Sequence, residues 1–158
     1  MYITLESDYA VRIVAELCAN KEQKLDAKTI SERSCITLRF ALKILRKLVS
    51  AGIIQSSKGT RGGYKINMDP HDITLRMVLE ATEGTYYFSR CLAPDSICSR
   101  GMSGKCCFQK AFGDITNTVR KKLEEYNFAD LLAEINECQK ENADAVSQEE
   151  KGAESSHE

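Results

Sequence analysis

Apolar residues recur at helical intervals through the first part of the chain. Ala10, Ile13, Val14 and Leu17 make one stripe, with Thr4 or Ser7 available to cap the helix that carries it. Asp26 can cap a second, shorter helix running through Ile30 to about Arg33, followed by the tight segment Ser34-Cys35-Ile36. Thr37 is the natural cap of a third, in which Leu38, Ala41, Leu42, Leu45 and Val49 recur at i, i+3, i+4, i+7 and i+11 until Gly52 stops it. Another face of that helix carries Arg39, Lys43, Arg46 and Ser50, with Lys47 beside them. A short helix, a turn and a basic helix is the helix-turn-helix order.

Two strand-like stretches, Ile53–Ser57 and Tyr64–Asn67, then flank Lys58-Gly59-Thr60-Arg61-Gly62-Gly63, which predicts a hairpin with a basic, glycine-rich tip. Asp69-Pro70 breaks it, and Thr74 can cap a helix through Leu75, Val78 and Leu79 that ends before Gly84. Beyond a cysteine-bearing stretch, Phe108, Ala111, Phe112, Ile115, Val119, Leu123 and Tyr126 form a long stripe, continued after Asn127 by Phe128, Leu131, Leu132 and Ile135. A helix this long leaving a small domain calls for a partner. The expected fold is mainly α, a winged helix-turn-helix domain over 1–84, a cysteine loop over 85–107, a dimerisation helix and C-terminal helix over 108–136, and a disordered tail over 137–158.

The net charge of −1 conceals an asymmetry. Met1–Met68 holds 12 Lys or Arg against 6 Asp or Glu, whereas Glu137–Glu158 holds 7 acids and only Lys140 and Lys151. A basic front bearing a helix-turn-helix pattern and a basic hairpin, consecutive within one short stretch, points to nucleic acid. Thr37, Arg39, Phe40 and Lys43 are placed to face the major groove of double-stranded DNA, Arg46 and Lys47 to meet its backbone, and Lys58 and Arg61 to reach sugar-phosphate or the minor groove. Glycines in the tip permit close approach to phosphate, and a tight turn alone also accounts for them. No secretory signal or membrane span is visible, which leads to the expectation of a cytoplasmic protein with no membrane partner.

Of the 7 cysteines, Cys18, Cys35 and Cys138 are scattered and read as ordinary packed residues. Cys91, Cys98, Cys106 and Cys107 lie together in a segment containing Pro94, Ser96, Gly101, Ser103 and Gly104, a loop able to fold thiolates around one centre. Structural zinc sites take closer pairs, so the Cys91-x6-Cys98-x7-Cys106 spacing suits an iron–sulfur cluster better. The loop supplies three obvious ligands of the four that a cluster ordinarily takes. Cys107 adjoins Cys106 and is a weaker candidate for the fourth. A zinc site, a reactive thiol switch, or cysteines with no shared role are the alternatives.

Ser7-Asp8-Tyr9-Ala10-Val11-Arg12, Ile30-Ser31-Glu32-Arg33, Gly59-Thr60-Arg61-Gly62-Gly63-Tyr64, Leu79-Glu80-Ala81-Thr82-Glu83-Gly84 and the three spaced cysteines together resemble the IscR/NsrR family of bacterial regulators, from Met1 to about Leu132. The resemblance implies a homodimer, with a helix from about Phe108 to Tyr126 crossing its partner and two winged helices on an inverted-repeat operator. It also implies a 2Fe-2S or 4Fe-4S cluster whose fourth ligand is a histidine shortly after the third cysteine or an acidic residue of the first helix. Gln109 stands at the histidine position, and His71 and His157 are the only histidines. Asp8 of the partner subunit matches the acidic pattern, although an Asp in a first helical turn is favoured by the helix dipole with or without a metal.

The expected function is a DNA-binding transcriptional regulator, not an enzyme, controlled by a cluster that senses iron–sulfur status, redox state or nitric oxide. A cluster-free thiol-switch regulator of the same fold and an iron–sulfur electron carrier are the rivals. The electron carrier or an enzyme would need a substrate pocket or a nucleophile–base pair, and no such motif appears.

Overall fold

The computed structural model describes residues 3–59 and 62–137. Arg61 at the wing tip, Cys138 and the acidic stretch from 138 onward lie outside the described residues. Helix α1 (Leu5–Ala19) is capped by Thr4, whose hydroxyl accepts from Ser7 N at 3.2 Å, and it buries Ala10, Ile13, Val14, Leu17 and Cys18. Asp26 caps α2 (Ala27–Arg33) by accepting from the Lys28 and Thr29 amides.

The turn out of α2 is a Schellman motif. Ile36 N donates to Ser31 O at 2.9 Å and Cys35 N to Glu32 O at 3.2 Å, with Cys35 at φ 56° in the left-handed position that glycine usually fills. Helix α3 (Leu38–Ser50) ends the same way, with Gly52 at φ 74° and Ile53 N donating to Leu48 O at 3.1 Å. The first turn sets the angle between α2 and α3, and the second directs the chain from α3 into the first strand.

The buried face of α3 is Ala41, Ile44, Leu45 and Leu48, rotated from the face that the sequence predicts. Leu38 is exposed, and Leu42 and Val49 are half-buried along one flank. Apolar residues occur around more than half of this helix, so periodicity alone is satisfied by either stripe. Packing against α1, α2, α4 and β1 decides which faces inward.

Strands β1 (Ile54–Ser57) and β2 (Gly63–Ile66) pair antiparallel, Ile54 opposite Ile66 and Ser57 opposite Gly63. Leu25 and Tyr64 exchange backbone hydrogen bonds at 3.0 and 2.8 Å, tying the wing to the α1–α2 connection. The glycine pair has a steric cause. A Cβ at Gly62 would lie 2.4 Å from Ser57 O, and one at Gly63 would lie 2.7 Å from Leu25 O.

Helix α4 (Leu75–Glu83), capped by Thr74, stops at Gly84, φ 79°. An irregular segment with one short 3-10 turn, Arg90–Leu92, leads to α5 (Cys107–Glu125). A break at Tyr126 and Asn127 precedes α6, which occupies 128–137 of the described residues. Phe128, 2% exposed, plugs the core, while its amide donates to Ile73 O at 3.0 Å. Thr116 is the one buried residue of α5, and Phe108, 64% exposed, and Ile115 stand open on it, with Tyr126 exposed just past its end.

Candidate nucleic-acid interface and cysteine loop

The predicted DNA-facing residues divide into two sets. Arg39, Arg46 and Lys58 are exposed and, among the described residues, have no ion pair. Lys43 and Lys47 instead reach back to α1, where Glu6 lies 2.9 Å from Lys43 Nζ and 2.8 Å from Lys47 Nζ. Lys47 also donates to Thr82 O at 2.6 Å. Its ammonium therefore sits in the α1–α3–α4 joint rather than pointing outward.

Partial burial works against ionisation of Glu6, but its hydrogen bonds to Lys47 and Lys43 outweigh this and hold the carboxyl below its ordinary value. Phe40 is half-buried and meets Tyr9 edge-on at 5.5 Å, and the Lys43 ammonium lies 5.6 Å from its ring centre. The Thr37 hydroxyl accepts from Phe40 N at 3.4 Å, so it serves first as the cap that starts α3.

The N-terminal end of α1 is fastened to the C-terminal end of α4. Glu83 accepts from Thr4 N at 3.1 Å, from Thr4 Oγ1 at 2.8 Å and from the Ser7 hydroxyl, and the Ser7 and Thr82 hydroxyls lie 2.7 Å apart. The hydrogen bond from Ser7 is the main reason that the Glu83 carboxyl is held below its ordinary value. Asp8 lies on the same turn of α1, half-buried, its carboxylate 2.7 Å from Arg12 of its own helix.

On the cysteine loop, Cys91, Cys98 and Cys106 are half-buried and Cys107 is exposed, and all four are free thiols. The Met102 amide, then that of Arg100, with the Arg100 charge and the Gly101 amide, draw the Cys98 thiol below its ordinary value. Ser89 Oγ lies 3.2 Å from Cys91 Sγ. Cys106 is the N-cap residue of α5 and makes no side-chain cap hydrogen bond. Among the described residues no three Cys, His, Asp or Glu side chains come close enough together to hold a metal ion. The donor chemistry, three soft thiols partly shielded from water, suits a soft metal centre, and gathering them round one requires the loop to close further.

Gln109 braces this loop. Its Oε1 accepts from Gly104 N at 2.8 Å, and its Nε2 donates to Cys91 O at 2.9 Å. Sequence reasoning noted Gln109 only as the occupant of a histidine position, and it missed Glu6 as the shared partner of Lys43 and Lys47. Both contacts join residues far apart in sequence, and the only local signal for Glu6 was its place in a first helical turn.

This arrangement, a capped helix-turn-helix with a two-stranded wing and a long trailing helix, is a winged-helix regulator fold. The solved structure of T. potens IscR shares it at TM-score 0.69 and 20% identity, covering 88% of this chain and 91% of that one. CymR, the global cysteine regulator of B. subtilis, does so at TM-score 0.67 and 20% identity, over 84% and 97%. The sequence profile of Rrf2, described as an iron-dependent transcriptional regulator, matches residues 3–134, and the chain belongs to the Rrf2 family.

Relatives include protein rrf2 of Nitratidesulfovibrio vulgaris, 28% identical over 89% of this chain and 93% of that protein. The HTH-type transcriptional regulator NsrR of Bacillus subtilis is 26% identical over 84% and 90%, and IscR of Aliivibrio salmonicida is 26% identical over 92% and 88%. The chain is accordingly a transcriptional regulator and not an enzyme. No helix among the described residues is long and apolar enough to cross a membrane.

Proposed function

We propose that this regulator binds an inverted-repeat operator as a homodimer and that an iron–sulfur cluster on Cys91, Cys98 and Cys106, completed by Asp8 of the partner subunit, sets its affinity. The observation that carries this reading is the clustering of three half-buried free thiols on one loop. Cys98 among them is already biased toward the thiolate, and IscR and NsrR are among the relatives.

Bound, the cluster would supply a centre that oxidants, nitric oxide or iron shortage destroy. The protein's part is mechanical. The loop leaves α4 at Gly84 and enters α5 at Cys106, so a change in its closure acts on the joint between α4 and the helix that meets the partner. Gln109 ties Cys91 to Gly104 through its two hydrogen bonds. The open apolar positions Phe108 and Ile115 of α5, with Tyr126 just past its end, supply the face on which a second copy packs. Arg39 would read base edges, Lys43 would follow it into the groove, and Arg46, Lys58 and Arg61 would contact the sugar-phosphate backbone or, from the wing, the minor groove.

A thiol switch on the same loop is the second reading. It is favoured by the lowered Cys98 thiol, since the thiolate is the form that is oxidised, and a Staphylococcus aureus CymR of similar fold, TM-score 0.63, has been solved in an oxidized form. Anaerobic reconstitution followed by iron and acid-labile sulfide assays separates the two. The cluster reading expects sulfide bound in proportion to iron and lost in a Cys98→Ser variant. A sulfide-free protein with a reversible disulfide would establish the switch instead.

A further inference from the structure

Two of the cations of α3, Lys43 and Lys47, share one partly buried anion. Glu6 is only 18% exposed at its side chain, against 55% for Lys43 and 35% for Lys47, so it lies behind the two lysines and between them. We infer that Glu6 is an intramolecular counterion that limits the regulator's grip on DNA by competing with phosphate for Lys43. The inference rests on the reading that α3 faces DNA and adds a residue that touches no DNA itself.

The two lysines are not equivalent. Lys47 is held twice, by Glu6 and by the Thr82 carbonyl, and stays in the joint. Lys43 has only Glu6 and the face of Phe40, and its side chain is the more exposed. Swinging Lys43 onto a phosphate leaves Glu6 still paired with Lys47, so the exchange is open to it. While Glu6 is ionised, the three groups offer DNA one net positive charge where the lysines alone would offer two. Fewer condensed cations are then released from the duplex on binding.

Glu6 is also fixed in place from the other side. Its neighbours Thr4 and Ser7 are fastened to Glu83 and Thr82 at the end of α4, the helix that runs through Gly84 into the cysteine loop. The counterion therefore sits where movement of α4 would change its distance to Lys43.

The test is anisotropy titration of a fluorescent duplex of arbitrary sequence at a series of salt concentrations. Glu6→Gln should steepen the fall of log affinity with log salt by about 0.9, the equivalent of one more phosphate contact. Its advantage over the parent should then shrink about 3.5-fold between roughly 50 and 200 mM salt. Glu22→Gln, which removes the same charge from an exposed position, should leave the slope unchanged. In a Lys43→Gln background, Glu6→Gln should have no effect on it.

Equal steepening by Glu22→Gln, or steepening that persists without Lys43, overturns the inference. If Lys43→Gln weakens binding but Glu6→Gln leaves the slope unchanged, Glu6 is a structural partner only and the docking of α3 survives. If Lys43→Gln changes nothing, the docking reading itself fails. Should Glu6→Gln unfold, Glu6→Asp, which keeps the charge but shortens its reach, is read by the same slope.

Discussion

Replacing Phe128 with alanine should uncouple the trailing helices from the DNA-binding body. The ring is 2% exposed, and the backbone around it is pinned by Phe128 N to Ile73 O at 3.0 Å and Leu75 N to Tyr126 O at 2.9 Å. A side chain of this size buries on the order of 200 Å², worth about 5 kcal/mol at 25 cal/mol per Å². Measured Phe-to-Ala losses run about 3–5 kcal/mol, and the pinned backbone cannot collapse into the hole, so the upper half of that range is expected.

The assay is urea unfolding followed by circular dichroism, at one fixed protein concentration because a dimer's midpoint depends on it. The midpoint should fall with little change in slope, and Leu132→Ala, a half-buried neighbour of the core, should cost less. A loss for Phe128→Ala below about 1 kcal/mol, the range of surface substitutions and weak contacts, would refute the packing argument.

Other consequences can be checked separately. Arg46→Gln and Lys58→Gln should each lower the salt slope of DNA binding by about 0.9, whereas Arg39→Gln should relax sequence preference at a cost of about 1–3 kcal/mol. Unchanged slopes and unchanged preference would remove α3 and the wing from the interface. In the folded apo-protein, alkylation followed by peptide mass spectrometry should label Cys98 well before Cys18, whose thiol burial, aided by Asp69, pushes up to about 12. Labelling of Cys18 at the same rate would contradict its packing.

Stability should also fall in acid. Glu6 and Glu83 both titrate below the ordinary glutamate value in the fold, so their contribution is present above that value, about pH 4.3, and is lost as pH falls through the folded values. Glu83→Gln should flatten the acid side of the stability profile. An unaltered profile would mean that the Thr4, Ser7 and Glu83 hydrogen bonds contribute nothing.

The parts of the fold that depend on near neighbours were legible. Asp26, Thr37 and Thr74 cap the helices they were expected to cap, and Gly52 and Gly84 stop the helices they follow, because a cap acts within one turn. The α2–α3 turn was seen only as a tight segment. Its left-handed residue is a cysteine, so the usual glycine signal is missing. The buried face of α3 was misplaced because the apolar residues outnumber those that one face can hold. The tip glycines were open to two readings, approach to phosphate or a tight turn, and Ser57 O and Leu25 O supply a steric reason for Gly62 and Gly63 that neither reading contained.

In the site, residue types were visible and pairings were not. Lys43 and Lys47 carry charge on an outward pattern, but nothing local says that Glu6, 37 residues from Lys43, pairs with both. The spacing of the cysteines was plain in the sequence, but what braces their loop was not. The bond from Gln109 to the Cys91 carbonyl, across 18 residues, exists only once α5 is laid beside the loop.

The most direct test of control by a cluster is operator binding by the same preparation before and after its cluster is removed. The duplex would be one the protein itself selects from a random pool, and iron and sulfide would be assayed in parallel. Coupling between the loop and the DNA-binding surface predicts a holo-protein containing both iron and sulfide and an affinity difference of about 5- to 150-fold between the two states. Equal affinities, or a protein that takes up no sulfide under anaerobic reconstitution, would contradict it.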